Sequence, residues 1–489
     1  MQLVLALDAG TTGVRTVAFG PDLAVVAESY RELTQFFPSP GDVEHDPLEI
    51  AALAVTTLRE VASTVQGNGH DVVALGVTNQ RETTVGFDRE RGEIFQRAIV
   101  WQDRRTAPIC QELETQGHGP RVRAVTGLVL DSYFSGTKMK WMLERGVAER
   151  AITPSFATID TWLIWMLSGG VDGGAFVTEP SNASRTLLLD LATREWSSEM
   201  MTLFGVSRSM LADLRPSSST FAVVGDVVPE LVGVPITGVL GDQQSALFGQ
   251  ACFTPGVVKA TYGTGAFILA NTGDTIPPVV DGLITTVAWD LGEVGPVNYA
   301  LEGSAFVAGA AVQWLRDLGF MEESSDLEAL AMSVDNSAGV QFIPAFTGLG
   351  SPFWRPDARG AISGISRGVG KGEIARALVE ALAYQVRAMT DAFRHGGVEL
   401  KEMRCDGGAA AMDLLLQLQA TNSRVDVRRS STLEATARGA ASIAGLRSGL
   451  WTSLDDLEKL WESQQHFAPE DPRFVDPGYD AWRAALERV

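Results

Sequence analysis

Little in this chain of 489 residues suits it to hold a structural metal or cross a membrane. Its three cysteines, Cys110, Cys252 and Cys405, are scattered, with no pair at metal-ligand spacing. That argues against structural zinc and points to a reducing compartment, the cytoplasm. The opening Met1-Gln2-Leu3-Val4 has no basic residues ahead of its apolar run, so no signal peptide is expected. No apolar stretch approaches the roughly 20 residues that span a bilayer, so no membrane insertion is expected. Positive charge is also short, with 39 Lys and Arg against 60 Asp and Glu, a net charge of −21. Nucleic acid and anionic membrane surfaces are therefore of like charge, repelled by the chain's own field. Any anionic ligand must be gripped by local donors against that field. The G-x-x-x-x-G-K-[ST] spacing of a Walker loop is missing too.

What is present is an ordinary globular composition, 45% apolar and 20% charged. The length exceeds one core, so two or three domains are expected. Residues 3–7 and 236–240 read as short buried strands, ending at Asp8 and at Gly241-Asp242. Apolar residues at helical spacing, Ile50, Leu53, Ala54, Leu58 and Val61, mark a helix over 48–62. Ile374, Leu378, Ala381, Leu382, Gln385 and Met389 mark another. Strand and helix alternate in both halves, which gives the class α/β. Residues 5–20 (LALDAGTTGVRTVAFG) are echoed by 260–273 (ATYGTGAFILANTG), each a strand, a Gly/Thr turn and a second strand. Two such hairpins, each opening one half, predict two related domains flanking a central cleft, 1–252 and 253–489, with turn residues 253–256 between them. The charged tail, 451–489, reads as a closing helix.

Five segments carry chemistry. Thr78-Asn79-Gln80-Arg81-Glu82-Thr83 follows the apolar run 72–77 and sets a cation beside a carboxylate at a strand mouth, where donor and acceptor can grip neighbouring hydroxyls. Asp8 to Arg15 lets backbone N–H groups and the hydroxyls of Thr11 and Thr12 converge on an anion across Gly10 and Gly13, with Arg15 adding charge. Asp8 is placed to hold Mg²⁺ through water. Gly263-Thr264-Gly265 supplies the matching turn. Asp242, at a strand end, is the candidate general base, able to accept a hydroxyl proton as that oxygen attacks a γ-phosphorus. Asp406-Gly407-Gly408 lets a flat ring or a phosphate approach closely.

These segments, with Gly41 to Pro47, Ala98 to Thr106, Tyr133 to Lys138, Ser181 to Thr186 and Pro344 to Gly350, run nearly end to end. Together they resemble the FGGY family of carbohydrate kinases, and its glycerol-phosphorylating branch in particular. The resemblance implies two actin/hexokinase-like (ribonuclease H-like) ATPase domains closing over ATP and Mg²⁺, often as a homodimer or tetramer. It implies that Arg81, Glu82, Tyr133, Asp242 and Gln243 bind glycerol, with Trp101 and Phe267 packing on its carbons. Thr11, Thr12, Gly13 and Arg15 would meet the β- and γ-phosphates, and Thr264, Gly309, Gln313, Gly408 and Met412 the nucleotide. The runner-up within the family is a kinase for another polyol or ketose, such as erythritol or xylulose. A nucleotide switch leaves Arg81, Glu82 and Tyr133 unexplained; a plain sugar-binding module leaves both phosphate turns unexplained.

The chain departs from the family pattern at several places. Ala9 replaces a Gln, Gly13-Val14 replace two hydroxyl residues, Met412 stands where an Asn lies near adenine, and Asp42 replaces a Trp. Residues 217–225 contain no His for phosphorylation by a sugar-transport carrier, and 231–235 contain no cation for a sugar bisphosphate. The expectation is an enzyme without either control.

Overall fold

In the computed structural model of the chain, residues 1–432 and 434–489 are described. The first half builds a six-stranded sheet in the order Ser218–Val223, Pro235–Gly241, Asp71–Asn79, Gln2–Ala9, Gly13–Phe19, Val25–Glu32. The second builds a seven-stranded sheet in the order Ile284–Asp290, Val297–Ala305, Ala266–Gly273, Val257–Tyr262, Glu402–Asp406, Asp426–Ser430, Ser463–Phe467. Without Ile284–Asp290, the two match strand for strand. Each has a hairpin and a third antiparallel strand on one side. On the other side each has two parallel neighbours and an antiparallel edge. The repeated Gly/Thr hairpin is thus the first piece of a repeated sheet.

The expected strands and helices form, with longer bounds. Leu3, Val4, Leu5, Ala6 and Leu7 are all fully buried, as a central strand covered on both faces requires. The first long helix is Pro47–Gly67. Asp46 caps it by accepting from the Leu48 N–H at 2.9 Å, and Pro47 fits its first turn. Ile50, Ala54, Leu58, Val61 and Val65 form its buried stripe. The second is Lys371–His395, started by the Glu373 carboxylate accepting from the Gly370 N–H at 2.8 Å. The tail differs from the expected closing helix. It holds two helices, Leu454–Lys459 and Asp476–Leu486, and between them an edge strand, Ser463–Phe467. That strand is Ser-Gln-Gln-His-Phe, too polar to show an apolar alternation, and pairing with Asp426–Ser430 decides its form.

Two helices run between the sheets: Asp242–Gly249, leaving strand Pro235–Gly241, and its counterpart Ala435–Ser448, leaving strand Asp426–Ser430. A Cβ on Gly439 would lie 1.8 Å from the Ser245 carbonyl oxygen, and one on Gly249 would lie 2.0 Å from that of Ala435. Only glycine allows these backbones to meet. Helix Ala435–Ser448 also lies against the first sheet, where a Cβ on Gly76 would strike the Ala440 oxygen at 2.1 Å. Asp242 therefore stands at the head of an interlobe helix, where the sheets face each other.

Candidate active site

Strand Asp71–Asn79 ends one residue before the turn that carries Arg81 and Glu82. Glu82 has φ +61°, a left-handed conformation that costs a non-glycine residue of the order of 1 kcal/mol. The strain is held from several sides. The Thr83 N–H donates to the Arg81 carbonyl at 2.7 Å. The Ser135 hydroxyl donates to the Glu82 carbonyl at 2.9 Å, and Lys138 Nζ donates to the carbonyls of Tyr133 and Glu82 at 2.5 and 3.4 Å. Burial lowers the Lys138 pKa to about 7. This lysine ties together two segments that carry site residues.

The charges at the strand mouth form a buried network. Arg81 donates Nη1 to Glu302 Oε2 at 2.7 Å and Nη2 to Oε1 at 2.9 Å, a two-pronged pair. Arg185 donates Nε to Glu82 Oε1 at 2.6 Å and reaches Glu302 at 3.3 Å through both Nη atoms. Arg81 Nε also lies 3.2 Å from Asp242 Oδ1. Arg81, Arg185, Glu82 and Glu302 are essentially without solvent exposure, whereas the Asp242 side chain is 28% exposed. Burial would raise the Glu302 carboxyl, but Arg185 and Arg81 outweigh it and hold its pKa down at about 2. Burial also raises Glu82, against the pull of Arg185 and Arg81. Within this network two cations face two carboxylates, and Asp242 is a further carboxylate, the one open to the cleft.

Asp242 is the first residue of its helix, and its Oδ1 accepts from the Gln243 N–H at 2.7 Å. The Gly241 N–H in front of it donates to Ser181 Oγ at 2.9 Å, and that hydroxyl donates to Glu179 at 2.5 Å. Gln243 Oε1 accepts from Lys259 Nζ, which also reaches the Phe267 carbonyl at 3.4 Å. With its oxygen occupied, Gln243 presents its amide NH₂, a donor beside Asp242, an acceptor. Tyr133 closes this corner with its hydroxyl 3.5 Å from Arg81 Nη2. Its ring centroid lies 5.6 Å from that of Trp101, which lies 6.2 Å from that of Phe267. Phe306 extends the wall at 6.5 Å from Tyr133.

The two hairpin turns lie at the aromatic wall, the first bonded to Trp101 and the second just ahead of Phe267. The Gly10 N–H donates to the Gly13 carbonyl, and the Gly263 N–H to the Gly265 carbonyl, both at 2.9 Å. Thr11 Oγ1 accepts from Trp101 Nε1 at 2.9 Å, which joins the first turn to the aromatic wall. Thr12 is exposed. Arg15 pairs with Glu434 from the other half of the chain. Asp8 lies opposite Arg15 in the sheet. Burial, Asp242 and Glu434 raise the Asp8 pKa to about 7, and Arg15 opposes them. On the second turn, the Gly263 carbonyl accepts from Gly309, and the Thr264 carbonyl from Ala308 and Ala310, which docks helix Gly309–Asp317 onto it. Gln313, on that helix, is exposed. A Cβ on Gly408 would meet nothing within 4 Å, so that turn has open space before it. Met412 is only 8% exposed and packs in the apolar core of the second half, so little of it is free to cover a ring.

The family model for the N-terminal domain of the FGGY family of carbohydrate kinases matches residues 3–249, and that for its C-terminal domain matches 258–448. The chain belongs to the FGGY family of carbohydrate kinases. It is 47% identical to a glycerol kinase of Polaromonas naphthalenivorans, over 96% of this chain and 95% of that protein. Against a glycerol kinase of Symbiobacterium thermophilum the identity is 47% over 99% and 98%. Among solved structures, Plasmodium falciparum glycerol kinase with ADP superposes with a TM-score of 0.92 at 33% identity, covering 100% of this chain and 98% of that one. A xylulose kinase from Lactobacillus acidophilus, at 19% identity and a TM-score of 0.89, shares the fold. The doubled sheet is the actin/hexokinase-like architecture of this FGGY kinase, as expected.

Four residues of this FGGY site were not singled out in the sequence: Glu302, Arg185, Lys138 and Lys259. Lys259 is fully buried, both its acceptors are neutral oxygens, and burial lowers its pKa to about 8. Replacing it by Met is expected to raise KM for the hydroxyl substrate about tenfold, the loss of one charged hydrogen bond, with a smaller change in kcat. Because the folded pKa is below its ordinary value, burying the charge costs stability, so Tm of Lys259→Met should hold or rise. In the unaltered enzyme KM should climb as the pH passes 8 and Lys259 loses its proton. A variant with unchanged KM and the same alkaline limb would remove Lys259 from the site.

Proposed function

We propose that the chain transfers the terminal phosphoryl group of ATP to glycerol, giving sn-glycerol 3-phosphate. One observation carries the reading. Arg81, Tyr133, Asp242 and Gln243 converge beside an aromatic wall, in a chain 47% identical over nearly its whole length to proteins named glycerol kinase. Glycerol has almost no apolar area to bury, so its affinity rests on paired hydrogen bonds. A site of this kind rejects analogues that leave a buried donor or acceptor unpaired. In this reading Glu82, Asp242 and Gln243 order the hydroxyls and Trp101 and Phe267 cover the carbons. Asp242 takes the proton of the attacking hydroxyl. Residues 1–252 and 253–489 form the two closing units, and closure excludes water that would otherwise accept the phosphoryl group.

The turns 10–13 and 263–265 are the phosphate cradles, with Thr11, Thr12, Arg15 and Thr264 as donors and Gly309, Gln313 and Gly408 around the nucleoside. Mg²⁺ fits at Asp8, where burial, Asp242 and Glu434 raise a carboxyl pKa that a cation would relieve. Among the described residues no group of three or more metal-binding side chains converges. Asp8 would therefore hold the ion together with water and phosphate oxygens, and the ion would supply neutralising charge. The cysteines are free and buried, which suits a reducing cytoplasm, and a dimer or tetramer is the assembly we propose. The test is glycerol-dependent ADP release, run beside erythritol and xylulose. The reading stands if kcat/KM is highest for glycerol and falls if either competitor exceeds it.

A further inference from the structure

Strand Val25–Glu32 lies antiparallel to Gly13–Phe19, with Tyr30 opposite Arg15 and diagonal to Gly13. The tyrosine occupies the place of a side chain at position 13. A Cβ built on Gly13 would lie 2.4 Å from both Cε2 and the hydroxyl oxygen of Tyr30. That hydroxyl sits 3.3 Å from the Thr12 carbonyl, on the turn itself, and the Arg15 guanidinium lies 5.3 Å from the Tyr30 ring centroid. The Tyr30 side chain is 40% exposed, so its hydroxyl is not sealed into the sheet. The chain thus has a first phosphate turn with no side chain at position 13 and a hydroxyl delivered there from the neighbouring strand.

We propose that Tyr30 is a phosphate-binding residue of this enzyme, its hydroxyl turning from the Thr12 carbonyl, to which it donates at 3.3 Å, to donate to a terminal phosphate oxygen of the nucleotide beside Gly13. The proposal rests on the reading of turn 10–13 as a phosphate cradle. The hydroxyl is the only new donor it invokes, and a phenol donating to a phosphate oxygen forms a charge-assisted hydrogen bond. Its ring keeps Arg15 alongside through a cation–π contact, so donor and cation face the same anion. The bland alternative is that the ring merely covers a glycine in a strand, a packing role that needs no hydroxyl.

Tyr30→Phe separates the two, since it keeps the ring and removes the donor. Calorimetric binding of ATP and AMP, without any acceptor, is the primary measurement. ATP is expected to bind about tenfold more weakly to Tyr30→Phe, with AMP binding, KM for glycerol and Tm unchanged. Equal ATP affinity in Tyr30→Phe and the unaltered protein would overturn the proposal. A second pair guards against a loss caused by disturbed packing. Tyr30→Ala should lose ATP affinity, and the double variant Gly13→Ser with Tyr30→Ala should regain it, because a hydroxyl returns from position 13 itself. No recovery in the double variant would count against the proposal. Binding without acceptor keeps this test apart from the choice of substrate. If ATP binds but glycerol does not stimulate turnover, the glycerol reading fails while the Tyr30 arms stay readable.

Discussion

Asp242→Asn is expected to lower kcat by about 10²–10⁴-fold, the usual contribution of a positioned base, with KM for glycerol and Tm close to unchanged. The isosteric amide keeps an oxygen for the Gln243 N–H, now accepted at 2.7 Å. It cannot take a proton. Stability should fall only slightly, because the side chain is 28% exposed and its helix-start interaction is of the order of 0.3–1 kcal/mol. Chemistry and folding are therefore separable at this position. The charge balance explains why no other carboxylate can substitute. Glu82 is taken by Arg185 at 2.6 Å, and Glu302 by both arginines. Single-turnover kinetics with saturating glycerol and ATP measure the step. Near-normal turnover in a folded Asp242→Asn protein would strike Asp242 from the mechanism.

Much of this site is legible in the linear chain where chemistry sits at the end of an apolar run. Arg81, Glu82 and Asp242 each follow a buried strand, and the Gly/Thr turns repeat at two matching places. A charge at a strand end stands out locally because no core would choose it. Glu302, Lys259 and Arg185 were missed for a different reason. Glu302 and Lys259 lie inside strands whose neighbours, Ala300 and Leu301, Val258 and Ala260, are buried and apolar. Arg185 lies in the stretch Ser181 to Thr186, just past the short helix Pro180–Ala183. Their partners are more than a hundred residues distant for Arg185 and Glu302, so no local spacing joins them. A lone charge in an otherwise apolar strand was the available signal. Tyr30 was invisible likewise, because its place over Gly13 follows from strand pairing.

Glu302→Gln should have the largest effect on stability, and it should damage turnover as well. Glu302 is on strand Val297–Ala305 of the second sheet, whereas Arg81 follows strand Asp71–Asn79 of the first, so one carboxylate ties the halves together. Removing it leaves two guanidinium groups buried with Glu82 as their remaining wholly buried carboxylate. Breaking a buried pair in this way costs about 3–5 kcal/mol. The stranded Arg81 has Asp242 already in reach, at 3.2 Å from Nε, beside the neutral Gln244 Oε1 at 3.1 Å from Nη1. A tighter Arg81–Asp242 pair would hold the base's lone pairs, so kcat should drop together with the urea midpoint. The pH dependence has a definite sign. Glu302 has its pKa lowered to about 2 from 4.5, so it adds stability that is fully present above about pH 4.5 and disappears as the pH falls through 2. Glu302→Gln should therefore flatten acid unfolding in that window. An Arg81→Leu, Glu82→Gln, Arg185→Leu, Glu302→Leu variant, which removes both cations together with both of their buried carboxylates, should recover much of the midpoint while staying inactive. If the single Glu302→Gln variant melts in urea at the midpoint of the unaltered protein, the buried network is not what joins the two halves.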